Sequence, residues 1–284
     1  MLKKEFPHLE CYELPSYGIR YPKRADFMEM TMISQLPKLT SRISQEKKAL
    51  GKIIEKESFN LIISDNRYGI YHDSITSVII CHQLNIHASI GQGIVNALHN
   101  RMLNRFDECW IPDDENHGLS GDLSNAELDI PIQFIGPLSR FEKRDLKEPV
   151  IPVLAILSGP EPQRTMLEEL LRPVIRTKER SMLIRGVMSD NERKKNEGVE
   201  ELGYAFGAEL EALINRAELV ICRSGYSSIM DLSVLGKKAI LIPTPGQTEQ
   251  EYLANHLNDE MNFHFLTQKE VPEHLAGLIS SIIG

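Results

Sequence analysis

"LVICRSG" (219–225) leads into "YSSIMDLSVLG" (226–236) and then "KAILIP" (238–243). The outer runs are short, apolar and rich in β-branched residues, and the middle run has a helical pattern. A polar turn, Arg223-Ser224-Gly225, joins the first to the second. Continuous apolar runs of this length suit strands covered by helices on both faces, which is the habit of parallel sheets.

The same alternation extends outward in both directions. "VIPVLAILSG" (150–159), "SMLIRGV" (181–187) and "FHFL" (263–266) read as strands. "EPQRTMLEELLRPVI", "GAELEALINRA", "TEQEYLANHLND" and "KEVPEHLAGLISSII" read as helices. Together they predict a parallel, doubly wound sheet. Upstream, "FNLIISD" (59–65), "TSVIICH" (76–82), "ECWIPD" (108–113) and "IQFIG" (132–136) form a second series of strands, with a helix over 92–106. The charged, proline-bounded stretch 137–149 reads as an interdomain linker. The expected domains are 1–147 and 148–284. The opening residues look like the tail of a helix, a strand and a loop. They lack the apolar strand that starts such sheets, so the first domain is expected to be incomplete at its front.

The whole chain of 284 residues has 42% hydrophobic and 25% charged residues, enough for two modest cores. A net charge of -8 argues against nucleic acid as a partner, because phosphate backbones call for surplus Lys and Arg. A helix N-terminus can still hold a small anion locally. Four cysteines stand far apart without a CxxC pair, and the nine histidines never adopt HExxH spacing, so neither a disulfide framework nor a metal site is expected. Apolar runs are too short to span a bilayer, and the chain reads as cytoplasmic.

Ligands of open α/β sheets collect at strand carboxyl ends, which singles out three corners. In "LSGPEPQ", Ser158 and Gly159 offer backbone N–H groups to a phosphate; the same residues suffice for a turn and helix cap. At the opening stretch, the N-terminal amides of the helix face the strand ends, Ser227 and Ser228 add donors, and Asp231 lies within reach of ribose hydroxyls. The plainer alternative makes Ser224 a helix cap and Asp231 a solvated carboxylate. In "PTPGQTEQEYLANHL", Glu249 and Gln250 can read sugar hydroxyls or merely begin a helix. His82 and Asp65, each at a strand end of the first domain, are the candidates for a base or an acceptor contact. No Walker lysine, GxGxxG or GxSxG element occurs.

In this order the corners resemble the glycosyltransferase family 28 C-terminal domain, of the kind found in peptidoglycan lipid N-acetylglucosaminyltransferases. "RSGYSSIMDLSVLGKKAILIPTPGQTEQEYLA" carries the resemblance most strongly, with an acidic residue eight positions after the arginine. "LSGPEPQRT" is similar to the family's first loop, and "GYAFGAELEALINRAELVICRSG" to its base-binding loop and the helix after it.

The resemblance implies an α/β protein of the GT-B class, two Rossmann-like domains facing a cleft. It implies Ser158, Gly159, Ser224, Gly225 and the turn Tyr226 to Ser228 around a diphosphate, with Phe206 beside a uracil-type base. Asp231 would hold the ribose, and Glu249 with Gln250 the donor sugar. Arg223 would either neutralise the diphosphate or brace the loop.

The expected activity is sugar transfer, N-acetylglucosamine among the candidates, from a UDP-sugar substrate to a lipid-linked or small-molecule acceptor, with no cofactor or metal. Peripheral membrane contact through the 92–106 helix is compatible with it. The alternatives are a nucleotide-sugar 2-epimerase and a non-catalytic nucleotide-sugar-binding protein.

Overall fold

The computed structural model describes residues 6–18, 31, 34–88, 91–144, 150–190, 192–196 and 198–284. The chain divides into two compact units, Met1–Gly136 and Pro137–Gly284.

In the second unit, β5 (Ile151–Ile156), β6 (Met182–Ile184), β8 (Val199–Leu202), β9 (Ala217–Cys222), β10 (Lys238–Leu241) and β11 (Phe263–Phe265) run parallel. Their spatial order is β11-β10-β9-β5-β6-β8-β7. Taken by sequence rank without β7, this is the Rossmann order 3-2-1-4-5-6 read from β8 to β11. Alternate strand residues Val153, Ala155, Leu219, Ile221 and Ile240 pack with Leu167 and Leu171 of α3 (Gln163–Ile175) and Leu275 and Ile279 of α7 (Val271–Ile283). The residues between them, Leu154, Val220 and Leu241, point the other way by the strand period and are equally buried. Both faces are therefore covered, which is why these strands read as unbroken apolar runs.

Two elements depart from the expected pattern. β7 (Arg193–Asn196) pairs antiparallel with β8 at the sheet edge, so the sheet is not wholly parallel. "RKKN" holds no apolar residue and so leaves no strand signal in the sequence. The stretch expected as a linker is also packed on the second unit as far as Arg144. Phe141 is buried, the Arg144 amide donates to Asn215 Oδ1 at 2.9 Å, and Asn215 Nδ2 donates to the Glu142 carbonyl at 3.0 Å. Its charged composition hid one apolar anchor and a set of main-chain bonds. The remainder, 145–149, lies outside the described residues.

In the first unit, β1 (Leu61–Asp65), β2 (Thr76–Ile80), β3 (Glu108–Ile111) and β4 (Ile132–Phe134) form a parallel sheet in sequence order. Ile79, Cys109 and Ile111 meet Leu103 of α2 (Gln92–Leu103) and Phe106 in one core. Burial pushes the Cys109 and Cys222 thiols up to about 12, so both stay protonated and inert at neutral pH. The expected strand in the opening is absent from residues 6–18, which form no regular element.

That segment is instead pinned by a buried carboxylate on α1 (Leu36–Ile54), a helix the sequence reading did not mark. Glu46 accepts hydrogen bonds from the Tyr17 hydroxyl at 2.6 Å and the Gly69 amide at 3.2 Å, and pairs with Arg67. Arg67 in turn donates to the Pro15 carbonyl at 2.6 Å, and Leu14 packs against Leu50, Ile62 and Ile70. Glu46→Ala is expected to cost about 2–3 kcal/mol, since it strands these donors. A lowered urea midpoint together with faster proteolysis within residues 6–18 would register it; an unchanged midpoint contradicts it.

Candidate functional site

The order of the second sheet reverses between β5 and β9, where Ile156 stands opposite Cys222. Chain leaving the two strands diverges there, and the crevice that results is where open α/β sheets take ligands. Ser158 and Gly159 lie exposed at the end of β5. Gly159 has φ +99°, a conformation side chains rarely adopt, and a Cβ built on it meets nothing within 4 Å.

At the end of β9, Arg223 is only 3% exposed. Among the described residues its guanidinium donates to four oxygens, all carbonyls. Nη1 reaches those of Ile242 (3.2 Å) and Pro243 (2.8 Å), while Nη2 reaches Gln163 (2.9 Å) and the Gln268 side chain (2.7 Å). These partners follow β10, open α3 and precede α7, so one side chain ties the ends of four elements. Of the two expected roles, the geometry supports bracing. Burial pushes the group down to about 10, which leaves it charged at neutral pH.

Ser224 is fully buried and donates to the Gln250 carbonyl at 2.7 Å. It therefore does not cap α5 (Tyr226–Leu235). Gly225 occupies the N-cap position, and no side chain caps that helix. The N-terminal amides and the helix dipole place partial positive charge at the switch point. A Cβ on Gly225 would point into open space.

Ser227, Ser228 and Asp231 follow at three- and four-residue spacing on the less buried side of α5. Asp231 Oδ1 accepts from the Ser139 hydroxyl at 2.6 Å, and Ser139 Oγ accepts from the Phe141 amide at 3.1 Å. Burial pushes the Asp231 carboxyl up, against the opposing pull of Ser139 and Arg140. A carboxylate has about four lone-pair sites, so Ser139 leaves acceptor capacity for two hydroxyls.

The remaining corners are more constrained. Gln250 Oε1 accepts from the Thr244 amide at 2.9 Å, so its oxygen braces the loop before α6 (Thr248–His256) and its amide nitrogen is the group left to contact a ligand. Glu249 lies half-buried in the first turn of α6. At the end of β8, Phe206 precedes α4 (Gly207–Arg216), and its ring lies parallel to Tyr204 at 5.8 Å between centroids. Tyr204 escaped the sequence reading, where one aromatic at a loop is no signal.

Residues 163–283 match the profile of the glycosyltransferase family 28 C-terminal domain. A stretch of 78 residues is 38% identical to the UDP-N-acetylglucosamine--N-acetylmuramyl-(pentapeptide) pyrophosphoryl-undecaprenol N-acetylglucosamine transferase of Sinorhizobium fredii, covering 26% of this chain and 21% of that enzyme. The enzyme of the same name from Desulforudis audaxviator is 49% identical over 53 residues, 18% of this chain and 14% of its own. The matched segments thus span at most about a fifth of these relatives.

Among solved structures, the glycosyltransferase of kitacinnamycin superposes with a TM-score of 0.64 at 15% identity, over 89% of this chain and 74% of that one. MurG of Acinetobacter baumannii gives 0.53 at 14%, over 87% and 71%. The calicheamicin glycosyltransferase gives 0.59 at 11%, over 94% and 77%. At these identities the likeness speaks for the fold, which is α/β of the GT-B class.

Residues 163–283 hold Phe206, Arg223 to Ser228, Asp231, Glu249 and Gln250, while Ser158 and Gly159 stand just ahead of that stretch at the end of β5. The two remaining candidates belong to the first unit. Asp65 ends β1 and His82 follows β2, whose partner it is, so both stand at that sheet's carboxyl edge.

The same edge holds a group the sequence reading missed. Buried Asp113 follows β3 and binds the amides of Asp114, Leu119 and Ser120, folding the loop back on itself. Asp113, His117, Ser120 and Ser124 recur every three or four residues, which was the available signal.

Replacing Arg223 by leucine strands three buried main-chain carbonyls and is expected to lower the stability of the second unit by about 3 kcal/mol. A thermal unfolding midpoint within a degree of the wild type would contradict the brace.

Proposed function

We propose that the protein transfers a sugar, N-acetylglucosamine in the first instance, from a UDP-sugar bound by the family 28 domain to a hydroxyl of an acceptor handled by the first unit. The observation that carries this reading is the uncapped N-terminus of α5 at the switch point, with Gly225 open in front of it and Asp231 on the same helix. A diphosphate lies against the amides of Gly225 to Ser228 and the loop of Ser158 and Gly159. Asp231 takes the ribose hydroxyls, Phe206 lies against the base, and Glu249 with the Gln250 amide meets the sugar. Charge that develops on the leaving diphosphate meets fixed N–H dipoles, which need no reorganisation during the reaction. His82 and Asp65 contact the acceptor. The relatives' own names support N-acetylglucosamine and a lipid-linked acceptor.

A peripheral membrane setting, on the cytoplasmic face, belongs to the same reading. No helix among the described residues is long and apolar enough to cross a membrane. α2 exposes Ile94 (72%) and Leu98 (49%), and a cavity of about 670 Å³ against α1 is lined by Leu39, Ile43 and Met102 with Lys47, Arg101 and Arg105. Apolar walls with a cationic rim suit an anionic amphiphile.

Thermal unfolding with UDP, UDP-N-acetylglucosamine and NAD tests the donor site. Ligand at 100 times its Kd adds about 2.7 kcal/mol of stability, and no shift with any uridine nucleotide ends the proposal. Release of UDP only with acceptor distinguishes transfer from 2-epimerisation, which interconverts UDP-sugars alone. Gly225→Val should keep the wild-type midpoint and weaken UDP binding at least tenfold, because its side chain enters open space in front of the helix. For Ser139→Ala, UDP affinity at pH 7 should fall about threefold, less than the loss of a direct hydrogen bond to the ligand, because Ser139 orients Asp231. The fall in affinity on acidification should also begin at higher pH than in the wild type, since losing Ser139 favours the protonated carboxyl. Titration calorimetry between pH 5 and 8 reads both.

A further inference from the structure

A cavity of the second unit lies at the amino-terminal edge of its sheet. Ile151 opens β5, Met182 opens β6 and Gly198 immediately precedes β8, and all three line it. The switch-point corner follows the opposite ends of the strands. β5 has six residues, so the two places stand about 20 Å apart. The cavity holds about 670 Å³, an ordinary volume for a small-molecule site. Its inner wall is apolar, made by Ile151, Met182 and Leu213, all buried.

Its rim is cationic. Arg180, Arg193, Lys194, Lys195 and Arg216 line it, against only two carboxylates, Glu179 and Glu200. Arg193 pairs with Glu200 at 3.1 Å and Glu209 at 3.3 Å, and Lys194 pairs with Glu192 at 3.2 Å and Asp190 at 3.6 Å. Ion pairs this exposed contribute little, so both cations can turn to a bound anion. Arg180 and Lys195 are exposed and, among the described residues, enter no ion pair.

Three separate elements bring these side chains together. Arg180 comes from the turn before β6, Arg193 to Lys195 from β7, and Arg216 from the last turn of α4. Ordinary roles explain part of the set. Charges on an edge strand such as β7 deter pairing with another chain, and a cation in the last turn of a helix meets its dipole. Neither role calls for Arg180. Its backbone has φ +63°, a left-handed conformation that a residue with a Cβ adopts at a cost. Glycine would hold that turn more cheaply, whereas arginine puts a guanidinium beside the other cations. A Cβ built on Gly198 meets nothing within 4 Å, so the wall beside β8 is open.

We propose that this cavity binds a diphosphate anion, either free or as the headgroup of an amphiphile. Guanidinium forks pair with two phosphate oxygens at once, and ammonium groups meet them as point charges. Three arginines and two lysines from three elements therefore suit an anion whose charged oxygens are spread over two phosphorus centres. The apolar wall receives the organic part of an esterified diphosphate. This site is separate from the α5 corner and independent of the transfer reading.

Titration calorimetry of the full chain with inorganic pyrophosphate tests it, together with co-sedimentation on phosphatidylcholine vesicles with and without diacylglycerol pyrophosphate. Pyrophosphate can also enter the α5 corner, so wild type is compared with Gly225→Val and with Arg180→Gln/Lys195→Gln. Pyrophosphate binding should survive in Gly225→Val and weaken roughly tenfold or more in the double variant. The double variant should keep its thermal midpoint and its UDP affinity, since both side chains are exposed and far from the switch point. Arg180→Lys alone, which keeps the charge and loses the fork, should fall between wild type and the double variant. Vesicle binding that requires the diphosphate lipid and is lost in the double variant identifies a headgroup. Loss of pyrophosphate binding in the double variant, with vesicle binding absent or retained, identifies the free anion. Pyrophosphate binding abolished by Gly225→Val and unchanged in the double variant belongs wholly to the α5 corner and overturns the proposal. A wild type that binds neither probe overturns it as well. Pyrophosphate binding through Arg180 and Lys195 in a protein that binds no uridine nucleotide removes the transfer reading and leaves this site standing.

Discussion

One buried guanidinium sets the geometry of the switch-point corner. Arg223 sits at the corner where the sheet order reverses, and its four hydrogen bonds hold the ends of β9 and β10, the start of α3 and the approach to α7. Burying a cation costs several kcal/mol unless dipoles replace water. Four carbonyl oxygens supply that replacement here, so the arginine and the loops depend on each other. With Arg223 and Ser224 both turned inward, the chain must leave the strand at Gly225, and the N-terminus of α5 is left for a ligand rather than for a cap.

The chain uses its buried and half-buried carboxylates in two ways. In the first, Glu46 and Asp113 are buried and fully engaged, one pinning the opening segment and the other folding a loop. In the second, Asp231 is only half-buried, bound by one serine, with lone pairs to spare. Engagement makes a carboxylate structural, and residual capacity makes it available for recognition. Glu168 shows the extreme of the former, meeting Arg164, Arg172 and Arg185 behind the β5–α3 corner.

Most of the second sheet was legible because its strands are buried on both faces and so stand out as unbroken apolar runs between helical patterns. β7 was not, because an edge strand made of Arg193 to Asn196 has no face to bury. α1 was missed for a related reason: its buried positions are Ile43, Glu46 and Leu50, and the middle one is charged. The residues proposed to meet the donor were visible as motifs at strand ends. Their division of labour was not, since nothing in "CRSG" says that the arginine and the serine point inward while the glycine faces out. The hydrogen-bonded contacts that link Asp113, Ser120, Ser124 and His117 were hidden for the same reason, because they depend on which oxygen lies beside which nitrogen.

Three of the four oxygens that hold Arg223 belong to the main chain. A carbonyl is present whatever side chain the residue bears. The loops that follow β5 and β10 can therefore exchange their side chains without disturbing the frame that aims them. Scaffold and surface chemistry are separable in this corner, which on the proposed reading lets the choice of sugar change residue by residue around one phosphate seat.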